Sequence, residues 1–411
     1  MPTLRFVGRP FDGFEQALER QVASFEVHHD VSLDLERDHR PLPEIHAELV
    51  ETGAIADGTY DLFLCLSDWL PGLADEGLLT PIDDYLADDP PDDWPEGWAE
   101  SMRTLVSYED STYALPYHDG PEVFHYRRDL FESVDEQRAF REVYGRPLHV
   151  PKTWDEFRDV AEFFTRPEEG LWGTVVAALP DGHNDVYDFL IQLWSRGGEV
   201  LDAEGNPAFD GEAGREALQF YHDLIHEHEV VPPEATAMES LEAGQFYADG
   251  HAAMMWNWAG FGSMAEDPDS AVFGDVNYGL IPRADAPGGR HTSLTVLYGL
   301  AIPAGSEHAD LAYEFLRHAA NADNDKVTTT AGASGTRFST WRDPDVLREN
   351  SFYPVAEEVN TSSVNTLPQI PAYVELNEIL DEMVAAAVVD RSKSVDEALA
   401  DAAAAADVVL N

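Results

Sequence analysis

Lysine is almost missing from this chain. Only Lys152, Lys326 and Lys393 occur among 411 residues, and lysine and arginine together number 25 against 79 aspartates and glutamates, for a formal charge of −54. A surface this poor in cations has no basic patch with which to hold nucleic acid or anionic lipid. Cysteine is reduced to Cys65, which excludes an intramolecular disulfide. Its apolar surroundings in "YDLFLCL" (60–66) mark it as a small buried hydrophobe. No run of 18 apolar residues is present, so no helical membrane span is expected. A phosphate-cradling G-x-x-x-x-G-K-[ST] loop is absent, as is a G-x-S-x-G nucleophile elbow. The first residues, "MPTLRFVGRPFDGFEQ", show neither an apolar leader core nor a lipidation cysteine. Two locations therefore stay open: the extracellular face of the cell membrane if a leader lies outside this sequence, and the cytoplasm otherwise.

What the chain does have is core material. Hydrophobic residues make up 44% and aromatics 11%, a globular composition rather than a disordered one. The carboxylate excess then reads as a folded protein adapted to high salt. At molar ionic strength the Debye length falls to about 3 Å, so dense surface carboxylates repel weakly and keep the protein hydrated. A length of 411 residues exceeds one ordinary core and implies two domains.

The first 120 residues alternate strand and helix. Residues 4–8, 31–36 and 60–66 read as strands, the last buried on both faces. Residues 12–25, with Asp12 as candidate cap, and 43–54 read as helices, and 69–86 as helix and turn. This order is that of an α/β layer fold. "ADDPPDDWPEGW" (87–98) is a surface loop, and 111–131 gives two strands about a Gly120-Pro121 turn. "PKTWDEF" (151–157) opens a helix, with Thr153 as N-cap and Glu156 closing a capping box. Helical spacing recurs at 185–196, 211–228, 307–320, 371–389 and 395–410, and strands are expected at 277–282 and 294–303. No disordered spacer separates two halves, so the chain crosses between domains more than once.

Two clusters carry chemistry. "SDWL" (67–70) follows the buried strand; Ser67 and Asp68 can bond solute hydroxyls and Trp69 can stack on a ring, or Asp68 can cap a helix while Trp69 packs inside. "HAAMMWNWAGFG" (251–262) alternates so that Trp256 and Trp258 share a face, with Phe261 close behind. Such rings serve either as core or as an open platform, and a platform with a few placed polar groups suits the apolar face of a pyranose. His222 and His226 have i, i+4 spacing in "HDLIHEH", but no glutamate follows the first histidine as in H-E-x-x-H; they read as a solvated helix face, and no metal or cofactor is expected.

Seven segments, in order, resemble one family. They are "YDLFLCLSDWLPGLADEGLLTPIDDYL", "YALPYHDGPEVFHYRRDLFE", "PKTWDEF", "LIQLWSRGGEVLD", "FYADGHAAMMWNW", "VLYGLAIPAGSEHADLAYEFLRHAA" and the closing helices from "LPQIPAYVELNEIL". The family is the extracellular solute-binding proteins of ABC sugar transporters, the maltose-binding-protein-like family 1. The chain departs from its pattern at Tyr126-Arg127, where the family usually has Tyr-Asn. The resemblance implies a two-lobe periplasmic-binding-protein-like α/β fold of type II, with interleaved chain and hinge. Lobe one would be 1–117 plus 297–342, and lobe two 118–296 plus 343–411. It implies a non-catalytic protein that holds a di- or oligosaccharide in an interlobe cleft and delivers it to ABC permease subunits, acting as a monomer. It places His118 and Asp119 at the cleft, Tyr187 at a position that stacks on sugar, and Tyr373 near the last crossing. Two other readings stand beside this one: a cytoplasmic ligand-binding or sensor protein on the same fold, and a glycoside hydrolase, which would need two carboxyls flanking one bond.

Overall fold

The computed structural model describes residues 2–411, with the backbone alone at Pro43. The chain divides into two compact units. The first holds the residues up to Gly120 together with Thr295–Arg348 and Gln369–Tyr373; the second holds Pro121–Leu294, Glu349–Pro368 and Val374–Asn411.

The strands of the two main sheets are, in chain order, β1 (Thr3–Gly8), β2 (Asp34–His39), β3 (Leu62–Leu66), β4 (Ala114–Asp119), β5 (Glu122–Arg127), β6 (Trp172–Thr174), β7 (Ala252–Trp258), β8 (Val276–Gly279) and β9 (Leu297–Ala301). The helices used below are α1 (Asp12–His29), α2 (Trp154–Phe164), α3 (Asn184–Ser195), α4 (Glu212–His226), α5 (Ala309–Ala319), α6 (Ala322–Thr330) and α7 (Val395–Leu410).

In the first unit the sheet order is β2-β1-β3-β9-β4. β1 pairs in parallel with β2 and β3, while β9 runs antiparallel to both β3 and β4. Every residue of β3, "LFLCL", is buried, because α/β packing covers both faces of a central strand. Register brings the carboxyl ends of β3 and β4 to one edge: Tyr298 pairs with Leu66 and His118, and Leu297 with Asp119.

In the second unit the order is β8-β5-β7-β6. β5 runs antiparallel to β7 and β8, and β6 runs parallel to β7. Three of the four strands therefore end at the edge where Glu122 starts β5 opposite Trp258. β7 is buried from Ala252 to Asn257 and opens only at Trp258. On one face, Met255 joins a cluster with Val175, Ala243, Tyr247 and Val272. On the other, Trp256 meets Trp154 and Phe157 of α2 at ring distances of 5.3 and 5.5 Å.

Several expected boundaries shift, with local causes. The strand expected at 31–36 is 34–39, because Asp30 turns left-handed (φ 52°) to end α1 and the following residues reverse the chain. The helix expected at 43–54 is a short α-turn, Leu42–His46, running into a π-turn, Ala47–Glu51. Asp12 does not cap α1; Phe11 holds that position without a side-chain bond, and Asp12 sits in the first turn, where a carboxylate favours the helix dipole. Thr153 caps α2 by accepting the Glu156 N–H at 3.3 Å, but the Glu156 carboxylate accepts from Lys152 N–H at 2.8 Å, one residue ahead of a closed capping box. A closed box does occur at Ser394 and Glu397, before the alanine-rich α7.

Candidate functional site

In the first unit the edge of the sheet gathers polar groups around Tyr298. Its ring lies 5.6 Å from His118 and 5.9 Å from Phe14, and its hydroxyl accepts from Arg9 at 3.0 Å. The Ser334 N–H donates to His118 Nδ1 at 2.8 Å. Burial, with the Arg9 charge and against the Ser334 carbonyl 3.1 Å from Nδ1, pushes the imidazole down to about 4, so it is neutral at neutral pH. Asp119 is buried and accepts from the Thr295 hydroxyl, while its own N–H donates to Ser334 O at 3.2 Å. Ser67 is also buried; its N–H donates to Leu297 O and its hydroxyl accepts the Leu297 N–H at 3.2 Å. Asp68 is half-buried, and its charge adds to burial in raising the Tyr298 and Tyr373 hydroxyls. Asp68 does not cap the next helix, whose N-cap is Trp69 without a side-chain bond. Trp69 is 9% exposed against His46, and Tyr373 is 1% exposed.

In the second unit the arrangement centres on Trp258, which is part-exposed where Trp256 is 3% exposed. Trp256 and Trp258 do share a face: their indole N–H groups donate to Asp188 and Asn184, one turn apart on α3, the second at 3.2 Å. Tyr187 meets the Trp258 ring edge-on at 5.8 Å and is itself buried. Neither Asn184 nor Asp185 caps α3; His183 takes that position, because both side chains turn inward. Phe261 is half-exposed in a short 3-10 turn and leans on Gly244, near enough that a Cβ there would meet its ring at 3.2 Å.

Behind these rings lies a group of acids that sequence reasoning missed. Glu122, Asp185 and Asp188 are all buried. Asn184 donates to Glu122 Oε1 at 3.4 Å, whereas Glu122 Oε2 is buried without a hydrogen-bond partner. Burial pushes Glu122 up to about 8. Burial pushes Asp185 up to about 9, with the charge of Asp381 adding to it. Asp188 rises well above the carboxylate range, through burial and then the Glu122 charge. The only signal in the sequence is polar residues inside apolar runs, "GPEVF" and "NDVYDFLIQLW". A recess of about 630 Å³ elsewhere in this unit, lined by Trp172, His226, His228 and Glu162 among others, contains none of the expected site residues. Among the described residues no group of three or more histidines, cysteines or carboxylates is arranged to hold a metal ion, and no helix is long and apolar enough to cross a membrane.

Two α/β units, each with aromatic and polar side chains at the strand-end edge where open α/β sheets hold ligands, define a solute-capturing class of protein. Residues 47–326 match the bacterial extracellular solute-binding protein family, and the chain belongs to it. It is similar to an arabinooligosaccharide-binding protein of Halalkalibacterium halodurans, 25% identical over 362 residues that cover 85% of this chain and 74% of that protein. A mannitol-binding protein of Pseudomonas aeruginosa is 25% identical over 65% of this chain and 58% of its own length. Among solved structures, maltose-bound MalE3 of T. maritima superposes with a TM-score of 0.85 at 24% identity, covering all of both chains. A solute-binding protein of Agrobacterium radiobacter in complex with ribitol gives 0.85 at 23% identity, covering 99% and 98%. These likenesses establish the two-lobe type II fold.

Proposed function

We propose that this protein captures a carbohydrate, a di- or oligosaccharide, without chemical change and hands it to the permease subunits of an ABC importer at the outer face of the cell membrane. The observation that carries the reading is Trp258. It is a part-exposed ring, braced by Tyr187 and held by its indole N–H on Asn184, at the edge where three strands of the sheet end. A flat ring fixed in this way suits the C–H face of a sugar, with hydroxyls left to neighbouring polar groups. The names of the relatives, which concern oligosaccharides and polyols, support the same class of solute. The acids nearest the Trp258 ring do not offer the pair of carboxyls that would flank a glycosidic bond: Glu122 is 0% and Asp188 2% exposed. The charge of −54 supports work in concentrated salt, where screening leaves the surface carboxylates hydrated but only weakly repelling.

The test is thermal unfolding in molar salt with maltose, an arabinooligosaccharide, mannitol and ribitol. A solute at 100 times its Kd stabilises the folded state by about 2.7 kcal/mol, which raises the melting temperature. At least one saccharide should do so, and Trp258→Ala should abolish that rise while leaving the ligand-free melting temperature within a few degrees. A shift with polyols alone would replace the saccharide by a polyol. No shift with any of the four would overturn the reading.

A further inference from the structure

Glu122 is fully buried, yet it connects directly to the ring on which the proposed function rests. It starts β5 opposite Trp258 in the strand register. Its Oε1 accepts from the Asn184 amide at 3.4 Å, and the Asn184 carbonyl accepts the Trp258 indole N–H at 3.2 Å. Asn184 is 6% exposed, so its amide has little water to turn to, and its orientation is set by these two bonds. The backbone is fixed as well: the Ser293 hydroxyl donates to the Glu122 carbonyl. Thus a buried carboxyl, one amide and one indole form a chain from the interior of the unit to its edge.

We propose that Glu122 is a positioning residue for solute binding: in its neutral form it holds Asn184, and through Asn184 the Trp258 ring, in the orientation that receives the solute, and its ionisation releases that ring. The proposal rests on the reading of Trp258 as the solute platform. The groups facing Glu122 explain why its ionisation matters. Asp188 of α3 is coupled to it by charge, and Tyr221 of α4, fully buried, is within electrostatic reach of Glu122, Asp185 and Asp188. Among the described residues no lysine or arginine forms an ion pair with any of these acids. A negative charge on Glu122 therefore has no cation to balance it, and the low-dielectric interior favours moving the carboxylate toward water. Moving Glu122 breaks its bond to Asn184, which frees the amide to turn and removes the acceptor of the indole N–H. The same neutral acid near pH 7 explains why Oε2 can stay buried with no donor facing it: the cost of an unpartnered neutral oxygen is far below that of an unpartnered charge.

The experiment follows the Trp258 indole N–H resonance, identified by its loss in Trp258→Phe, together with saccharide affinity by calorimetry, from about pH 6 to about pH 9. In the wild type the resonance should move and affinity should fall roughly tenfold as pH rises through about 8. Glu122→Gln, which keeps the acceptor and cannot ionise, should hold both constant across the range. Glu122→Ala should show the displaced resonance and the weak affinity at every pH, and Gln should rescue what Ala loses. The idea is overturned if the resonance is the same in wild type, Gln and Ala variants, or if the Gln variant behaves as the Ala variant does. The resonance needs no solute, so it separates this result from failure of the carbohydrate reading. If the ring responds to Glu122 while no saccharide binds, the positioning role stands and the solute class falls.

Discussion

In the first unit Asp325 of α6, 2% exposed, accepts the N–H groups of Thr336 at 2.8 Å and Arg337 at 3.2 Å together with the Thr340 hydroxyl. Arg337 is equally buried; it donates to the carbonyls of Ala320 at 3.0 Å and Asp92 at 2.6 Å and lies 4.1 Å from the Trp98 ring. In the second unit Glu122, Asp185 and Asp188 are buried as deeply, yet Glu122 Oε2 has no hydrogen-bond partner and Asp185 faces the carboxyl of Asp381. One unit encloses a carboxylate in donors and sets a cation near it. The other buries carboxyls close to one another with few donors, and burial keeps them neutral. A buried charge persists only when paired and hydrogen-bonded, and otherwise the group takes its uncharged form. The first arrangement holds loop 331–337 against α6. The second leaves acids whose protonation depends on pH behind the edge that carries Trp258.

The largest expected effect comes from removing the donors' target in the first unit. Asp325→Ala strands two backbone N–H groups and the Thr340 hydroxyl and removes one of the negative charges acting on Arg337, and should destabilise by about 3–5 kcal/mol. Asp325→Asn keeps the shape and some of the bonds, so its loss should be smaller. Denaturant unfolding in molar salt measures both. An Ala variant within 1 kcal/mol of wild type, on the scale set by that estimate, would show that the network is dispensable.

Next in size is a gain. Glu122 is raised to about 8, above the ordinary carboxylate range near 4.3. The folded state then holds a proton that the unfolded state has released over that interval. The stability this group contributes is complete below the ordinary range, declines as pH rises toward about 8, and is flat above it. Glu122→Gln removes the decline and should be more stable than wild type by roughly 1–3 kcal/mol near pH 9. Asp188→Asn should act in the same direction, since Asp188 is raised by burial and by the Glu122 charge. The two gains should not add, because each variant also removes the repulsion felt by the other acid. Unfolding at matched salt across pH measures them. Loss of stability at high pH in either variant would mean that the acids are ionised and balanced after all.

Much of this was legible in the sequence, for reasons that differ between the units. The strand "YDLFLCL", the helix cap Thr153 and the shared face of Trp256 and Trp258 follow from apolar periodicity and local hydrogen bonding, which short windows carry. The split roles of that pair did not follow. Trp256 is enclosed by Trp154 and Phe157, and those contacts join residues 99 or more positions apart. Ser67, Asp119, Tyr187 and Tyr373 were expected as solute contacts, and each is less than a tenth exposed. A polar residue at a strand end satisfies a neighbouring strand as readily as a ligand, and only the register shows that Leu297 and Thr295 take up Ser67 and Asp119. Tyr298 and Arg9 were missed because "LYGLAIP" reads as plain strand and Arg9 as the residue after a glycine turn. The buried acids were missed for a plainer reason: in a chain with 79 carboxylates, three more inside apolar runs carry no distinctive signal.

The smallest expected effect concerns the opposite sign of titration in the first unit. His118 accepts the Ser334 N–H on Nδ1 and is lowered to about 4 from the ordinary imidazole value near 6.5. Here the unfolded state binds a proton that the folded state refuses. The stability it contributes is present above the ordinary value and is lost as pH falls from about 6.5 toward 4. The ring is partly exposed, which screens the effect, so the expected size is only about 1 kcal/mol. His118→Gln should be less stable than wild type at pH 7.5, and the gap should narrow by that amount as pH falls to about 4.5. His125 in the second unit is lowered in the same way, to about 4, and remains in both proteins, so subtraction removes its contribution. A gap that stays constant with pH would show that His118 acts only through its shape. A gap that widens in acid would mean that the imidazole is charged in the folded state, and would reverse the sign of its contribution.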